Sequence, residues 1–301
     1  MAQDPRTVSA GMSDMPGLSA RRIVGLIPAA GHATRLGDMP WSKELLPVGF
    51  QPGAGEGHPQ PKPVAQYLVD QMKRAGCGEL FFIVRRGKWD IADYFGDGRR
   101  FGLDIGYLIV HEPWGPPFTL NQAVPFVGDA TVVVGFPDIL IHPPDALAQT
   151  VARLDATAAD VVVGIFPAPP EDACDLVQSD ASGRVLRLVP KEDDPDLGDP
   201  RSTWILAAWG PRFTAFLRAR VLELAQIARA RGRDEAKPPE WPVGSVIASA
   251  IETGLSVNSL HFAHGAFLDI GAPHRLVDAI RFPGVWDGQG QPPVGSRCGG
   301  A

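Results

Sequence analysis

The stretch Gly25-Leu-Ile-Pro-Ala-Ala-Gly-His-Ala-Thr-Arg-Leu36, followed closely by Ser42-Lys-Glu-Leu-Leu-Pro-Val48, decides how this chain is read. Residues 23–28 form an apolar run that predicts a buried first strand. The run ends in a turn built from Ala29, Ala30, Gly31, His32 and Ala33, which closes on Thr34 and Arg35. Small side chains let backbone approach a ligand closely, and N–H groups at such a turn favour an anion. Arg35 adds a planar fork of donors and Lys43 a compact point charge, the two cation types that hold phosphate. A small-residue turn alone is compatible with an ordinary strand connection. The added cations point to a nucleoside triphosphate.

Working outward, strand and helix patterns alternate. Residues 63–75 carry apolar positions at helical spacing, 80–84 read as a second strand, 89–94 as a short helix and 105–110 as a third strand. The run 131–135 is a fourth buried strand, 145–154 is helical, and 160–166 is a strand of β-branched residues. Such alternation predicts a mostly parallel sheet with helices on both faces, and ligands of such sheets bind beyond the carboxyl ends of the strands. Later, 175–178 and 184–188 flank a hairpin turn, 204–209 and 256–262 are strands, and 212–230, 243–253 and 273–280 are helices. Residues 51–61 are almost all helix or strand breakers and predict a flexible insertion.

The expected organisation is an N-terminal arm at 1–20, a folded region at 21–282 and a Gly/Pro-rich flexible tail at 283–301. The folded region divides into a nucleotide-binding core at about 21–170 and a later part at about 171–282.

With 45% apolar and 21% charged residues, the 301-residue chain has the composition of a globular protein with a sizeable core. A formal net charge of -6 argues against a nucleic-acid partner. No apolar run reaches the roughly 18 residues that span a bilayer, and no secretory leader is visible. Cys77, Cys174 and Cys298 suit neither a disulfide framework nor a zinc site, and a reducing cytoplasm is expected. The histidines show no paired metal spacing. Trp204, Trp209, Phe213 and Phe216 read as core, and the charges between 218 and 233 as a solvated helix face.

The opening stretch resembles the signature of sugar-1-phosphate nucleotidylyltransferases, an apolar strand with Gly-x-Gly-Thr-Arg-Leu, then Lys-x-Leu-Leu-Pro-Val and Lys-Pro, here Lys62-Pro63. Its Pro-Ala-Ala-Gly and Lys-Glu-Leu-Leu-Pro-Val forms look closest to the glucose-1-phosphate uridylyltransferase branch. Ala33 stands where the family usually has glycine. Val132-Val-Val-Gly-Phe-Pro-Asp-Ile-Leu140 resembles the family's first metal-binding segment, with Asp138 as ligand. Ala266-Phe-Leu-Asp-Ile-Gly-Ala-Pro-His274 resembles the second, with Asp269 as ligand. Pro117-Phe-Thr-Leu-Asn-Gln-Ala123 looks like the base-binding loop, with Thr119 in place of glycine. Gly183-Arg-Val-Leu-Arg-Leu-Val-Pro-Lys-Glu192 resembles the sugar-phosphate segment, with Lys191 as its lysine and Pro190 replacing the glutamate that meets sugar hydroxyls.

The resemblance implies a GT-A-like, Rossmann-type three-layer α/β sandwich with a mostly parallel central sheet. It implies that an NTP (UTP or dTTP favoured) and a sugar 1-phosphate give an NDP-sugar and pyrophosphate. Arg35 and Lys43 are then catalytic. Ala29, Ala30, Gly31, His32, Ala33, Thr34, Gly115, Thr119 and Gln122 bind the nucleotide, Lys191 binds the sugar phosphate, and Asp138 and Asp269 hold Mg²⁺. Self-association is also implied. Two alternatives remain open: a non-catalytic nucleotide or sugar-nucleotide sensor on the same scaffold, and an enzyme acting on a non-sugar phosphate or phosphonate.

Overall fold

A computed structural model describes residues 21–31, 34–53, 57–111, 114–168, 174–190, 201–231 and 240–288. Strand β1 (Ile23–Ala29) leads into the small-residue turn. A hairpin of β2 (Pro47–Gln51) and β3 (Gln60–Pro63) follows, then α1 (Val64–Arg74), β4 (Glu79–Val84), α2 (Trp89–Phe95) and β5 (Asp104–Ile109). Next come α3 (Pro116–Asn121), α4 (Val124–Val127), β6 (Thr131–Val134), β7 (Ile139–His142), α5 (Ala146–Thr157) and β8 (Val161–Pro167). The later part holds β9 (Leu176–Ser179), β10 (Val185–Val189), β11 (Ser202–Trp209), α6 (Pro211–Arg231) and α7 (Val243–Glu252). It closes with β12 (Val257–His261), β13 (Ala266–Asp269), α8 (Pro273–Arg281) and α9 (Pro283–Trp286).

The main sheet runs β5-β4-β1-β6-β11-β8-β12, with the β9–β10 hairpin joined to the start of β11. Pairing is parallel between β1 and β4, β1 and β6, β4 and β5, and β8 and β12, and antiparallel where β11 meets β6 and β8. The alternation of β1 explains the layers. Val24 and Leu26 face a core built with Phe118, Phe213, Leu217 and Ile247, from α3, α6 and α7. Ile27 faces the opposite core with Leu68, Met72, Phe95 and Leu147, from α1, α2 and α5. The result is the expected three-layer α/β sandwich.

Gly25 sits on the α1 side. A Cβ there would lie 2.4 Å from Leu80 Cδ2 and 2.6 Å from Met72 Sδ, so glycine lets α1 close on the sheet.

Three expectations need correction. Residues 51–61 are not simply an insertion, because their two ends pair as β2 and β3, with Gln51 opposite Gln60. The hairpin is held by Val48 and by α8 and α9 packing on it, a long-range contact invisible in a local composition. Nor does a tail begin at residue 283, since α9 buries Val285 and Trp286 against Val48, Tyr67 and Leu140. Lys62 Nζ secures this segment, 2.6 Å from Asp287 and 2.9 Å from Asp70. Finally, the short strands β7 and β13, unforeseen in the sequence, pair antiparallel outside the main sheet. Residues 1–20 and Cys298 lie outside the described residues.

Among the described residues no helix is long and apolar enough to cross a membrane. Cys77 and Cys174 form no disulfide, and burial pushes the Cys77 thiol up to about 12. Trp204, Trp209 and Phe213 are buried in the core, as their spacing indicated.

Gly25→Ala should cost about 1–3 kcal/mol of stability, the usual penalty of overpacking, without changing the fold. Urea unfolding of the two proteins measures it, and an unchanged midpoint would show that α1 does not need the glycine.

Candidate active site

Strands β1, β4 and β6 run parallel, with Ala29 opposite Val84 and Leu26 opposite Val134. Their carboxyl ends therefore deliver residues 30–31, 85–88 and 136–138 to one end of the sheet, where sheets of this class take ligands. The single 3-10 turns Thr34–Leu36 and Lys43–Leu45 lie between β1 and the hairpin and carry the two cations.

Lys43 Nζ stands 2.5 Å from Asp138 Oδ2, with side chains only 12% and 18% exposed. Burial pulls the Lys43 pKa down. The Asp138 carboxylate, by charge and hydrogen bond, helped by Glu44 and Asp269, outweighs burial, and the net shift is upward. Lys43 is accordingly a fixed cation at neutral pH. Asp269 arrives from the far end of the chain on β13, opposite Ile139 of β7, and Ile270 N donates to Asp138 O at 3.0 Å. Its Oδ1 accepts a hydrogen bond from Gly271 N at 2.7 Å, and its Oδ2 lies 3.4 Å from Arg35 Nη2. Arg35, Lys43, Asp138 and Asp269 are thus gathered as two cation–carboxylate pairs.

Behind Lys43 lies a second set of charges to which the sequence reading assigned no role. Lys88 Nζ is 2.6 Å from Glu44 Oε1, and both residues are buried. Burial pushes the Glu44 carboxyl up and the Lys88 ammonium down, each held back by the other's charge. Ser42 N and Oγ donate to the two carboxylate oxygens of Asp90 at 2.6 and 2.8 Å. Lys88 lies just after the turn that follows β4, and Glu44 next to Lys43 in its 3-10 turn. The sequence signal was only a lysine near the cleft end of β4, because no spacing rule pairs residues so far apart.

The expected base-binding loop is instead the helix α3, started by Pro116 and Pro117 after Gly115. Thr119 is buried and its hydroxyl donates to Gly115 O at 3.4 Å, while Gln122 Nε2 donates to Phe118 O at 3.3 Å. Both side chains thus bond to their own helix. Gly115 has φ 98°, and a Cβ there would lie 2.3 Å from Trp241 O. Phe118 lies between Trp114 and Trp241, at ring centroid distances of 5.2 and 5.7 Å, and Trp241 N donates to Trp114 O at 3.2 Å. This contact ties the start of α3 to the entry of α7. Ala29 is buried at the end of β1, with Ala30 and Gly31 just beyond it, and Thr34 opens its 3-10 turn. Pro190 lines a cleft of about 370 Å³ with Val189, Ser245 and Ser249. His32, Ala33 and Lys191 lie outside the described residues.

Gly115→Ala combines a glycine-only backbone conformation with that close approach. It should destabilise by about 1–3 kcal/mol and loosen the Trp114–Trp241 contact. Chemical unfolding followed by tryptophan fluorescence measures both, and a native spectrum with unchanged stability would refute the assigned constraint.

No family model matches the chain. A low-salt glycan biosynthesis nucleotidyltransferase of Haloferax volcanii is 23% identical over 258 residues, 85% of this chain and 64% of that protein. A glucose-1-phosphate thymidylyltransferase of Mycolicibacterium smegmatis is 26% identical over 57% of this chain and 56% of its own length. A UTP–glucose-1-phosphate uridylyltransferase of Bacillus subtilis is 28% identical over 49% and 54%. The chain therefore spans less than two thirds of the length of each of these relatives. Two solved structures share the fold. A putative glucose-1-phosphate thymidylyltransferase from Bacillus anthracis has TM-score 0.68 at 17% identity, covering 86% of this chain and 94% of that one. A UDP-glucose pyrophosphorylase complexed with UDP-glucose has TM-score 0.65 at 19% identity, covering 86% and 97%. The solved neighbours show the fold, and the sequence relatives share names of one kind, so this chain is similar to the sugar-1-phosphate nucleotidyltransferases.

Proposed function

We propose that the chain transfers a nucleotidyl group from an NTP, UTP or dTTP being favoured, to a sugar 1-phosphate. The observation that carries this reading is the pair of ion pairs, Lys43–Asp138 and Arg35–Asp269, at the carboxyl end of the sheet. A phosphate oxygen of the acceptor attacks the α-phosphorus in line. The bond to the bridging oxygen breaks, and pyrophosphate leaves. The attacking oxygen is already anionic, so no general base is required. Catalysis then rests on positioning and charge. Arg35 and Lys43 stabilise the triphosphate and the departing pyrophosphate.

The donor set suits Mg²⁺. Among the described residues no cluster of three or more His, Cys, Asp or Glu could form an all-protein cage. Asp138 and Asp269 instead offer two hard carboxylates on adjoining segments, and Mg²⁺ is commonly held by one or two carboxylates together with substrate phosphates. When bound, the ion would supply charge neutralisation at the reacting phosphates. Asp138 and Asp269 are now countered by Lys43 and Arg35, cations that can turn to phosphate oxygens once a triphosphate enters.

One departure favours a second acceptor class. Pro190 stands where the resembled family has a glutamate that meets sugar hydroxyls, so a non-sugar phosphate or phosphonate remains a candidate. Pyrophosphate release with Mg²⁺, measured for five NTPs against sugar 1-phosphates and phosphonates, separates the two acceptors. Release requiring one NTP and one acceptor together supports the transferase. Triphosphate binding without release from any pair supports the sensor. Asp138→Asn and Arg35→Ala should each lower turnover by about a hundredfold or more, on the order of 3 kcal/mol of transition-state stabilisation. Near-full activity of either variant would refute the roles given to these residues.

A further inference from the structure

The residues on either side of Lys43 are both gripped from one place. Ser42 is held through its N–H and its hydroxyl by Asp90, and Glu44 is held through its carboxylate by Lys88. Lys88 and Asp90 belong to the loop and first helical turn that follow β4. Between the two grips, the Lys43 side chain reaches Asp138. We propose that Lys88 and Asp90 are positioning residues that set where the Lys43 ammonium stands, acting through Glu44 and Ser42. This inference rests on the proposed nucleotidyl transfer, in which Lys43 meets the triphosphate.

Two physical arguments support it. First, a buried ion pair is a poor device for stability, because desolvation offsets most of the attraction, whereas it does specify a conformation once formed. Glu44 Oε2 is buried with no hydrogen-bond partner, so the arrangement does not maximise hydrogen bonding. Second, Lys43 sits in a single 3-10 turn, Lys43–Leu45, whose N-terminal flank makes no side-chain capping bond. One turn has little rigidity of its own. The β4 end is rigid, since β4 is paired on both edges, with β1 and β5. The two grips therefore transfer the rigidity of the sheet to the turn. Loss of geometry of about 1 Å at a charge that acts in the transition state is felt in kcat.

The test uses the full chain with two independent disruptions. Asp90→Ala removes one grip at a half-buried site. Lys88→Met with Glu44→Gln removes the other without leaving a buried charge unpaired. Each is made alone and in a Lys43→Ala background, and pyrophosphate release, triphosphate affinity by calorimetry and thermal unfolding are measured. Both disruptions should lower kcat by tenfold or more with the acceptor KM within twofold of wild type. In the Lys43→Ala background each should cost no more than a further twofold, because its route of action is already gone.

Unchanged kcat in both disruptions overturns the proposal, as do losses that multiply fully with Lys43→Ala. Failure of both disrupted proteins to fold overturns it too, for the network would then be an element of stability. If wild type binds a triphosphate but releases no pyrophosphate with any acceptor, the transferase reading fails separately. Positioning is then judged from triphosphate affinity. It should fall about tenfold in each disruption and no further beside Lys43→Ala, and the proposal is overturned if it does not. Wild type that binds no triphosphate overturns both.

Discussion

Strand β1 is apolar on both faces and hydrogen-bonded on both edges, and most of the architecture depends on that burial. Val24 and Leu26 pack into one helical layer and Ile27 into the other, while β4 and β6 occupy the two edges. Nothing polar can be accommodated along such a strand without losing hydration. The chain can present charge only where the strand stops. The turn after Ala29 is that place, and the ends of β4 and β6 share it because they run parallel to β1.

Charges gathered at the end of an apolar sheet must compensate one another. Lys43 against Asp138 and Arg35 against Asp269 do so across the cleft, and Lys88 against Glu44 does so beneath it. The pairs differ in exposure. Arg35 is largely exposed, so its pairing with Asp269 is screened by water and easily exchanged. The Lys88–Glu44 pair is fully enclosed, and separating it would leave a buried charge alone. On the proposed function, the outer pairs exchange partners with substrate while the inner pair stays put. A labile layer carried on a fixed one is a sensible arrangement for phosphoryl chemistry, where positioning supplies most of the catalysis.

Much of this was legible beforehand because it is local. The alternation of strands and helices follows from periodicity, Arg35 and Lys43 stand in segments beside the first strand's end, and Asp138 and Asp269 were picked out by the family resemblance. What stayed hidden needed a distant partner. The β2–β3 hairpin is stabilised by α8 and α9, some 220 residues later in the chain. Helix α9 reads as Gly/Pro-rich tail until the fold buries Val285 and Trp286 in one cluster with Val48, Tyr67 and Leu140. Residues 117–121 of the segment 117–123, read as a loop, are helical because two prolines at 116 and 117 open the helix and Trp241 packs on Phe118.

The sequence by itself determined the class of sheet and placed Arg35 and Lys43 just beyond its first strand, while Asp138 and Asp269 stood out only through the family resemblance. Side-chain type and spacing suffice for the sheet and the two cations, since each is a property of a short segment. Only the tertiary structure decided that Asp269 lies beside Asp138, that α9 closes the hairpin, and that Lys88 and Asp90 bond to the two residues flanking Lys43. Those relations join segments tens to hundreds of residues apart. They exist because chain folding brings the segments within hydrogen-bonding range, which no local pattern of residues encodes.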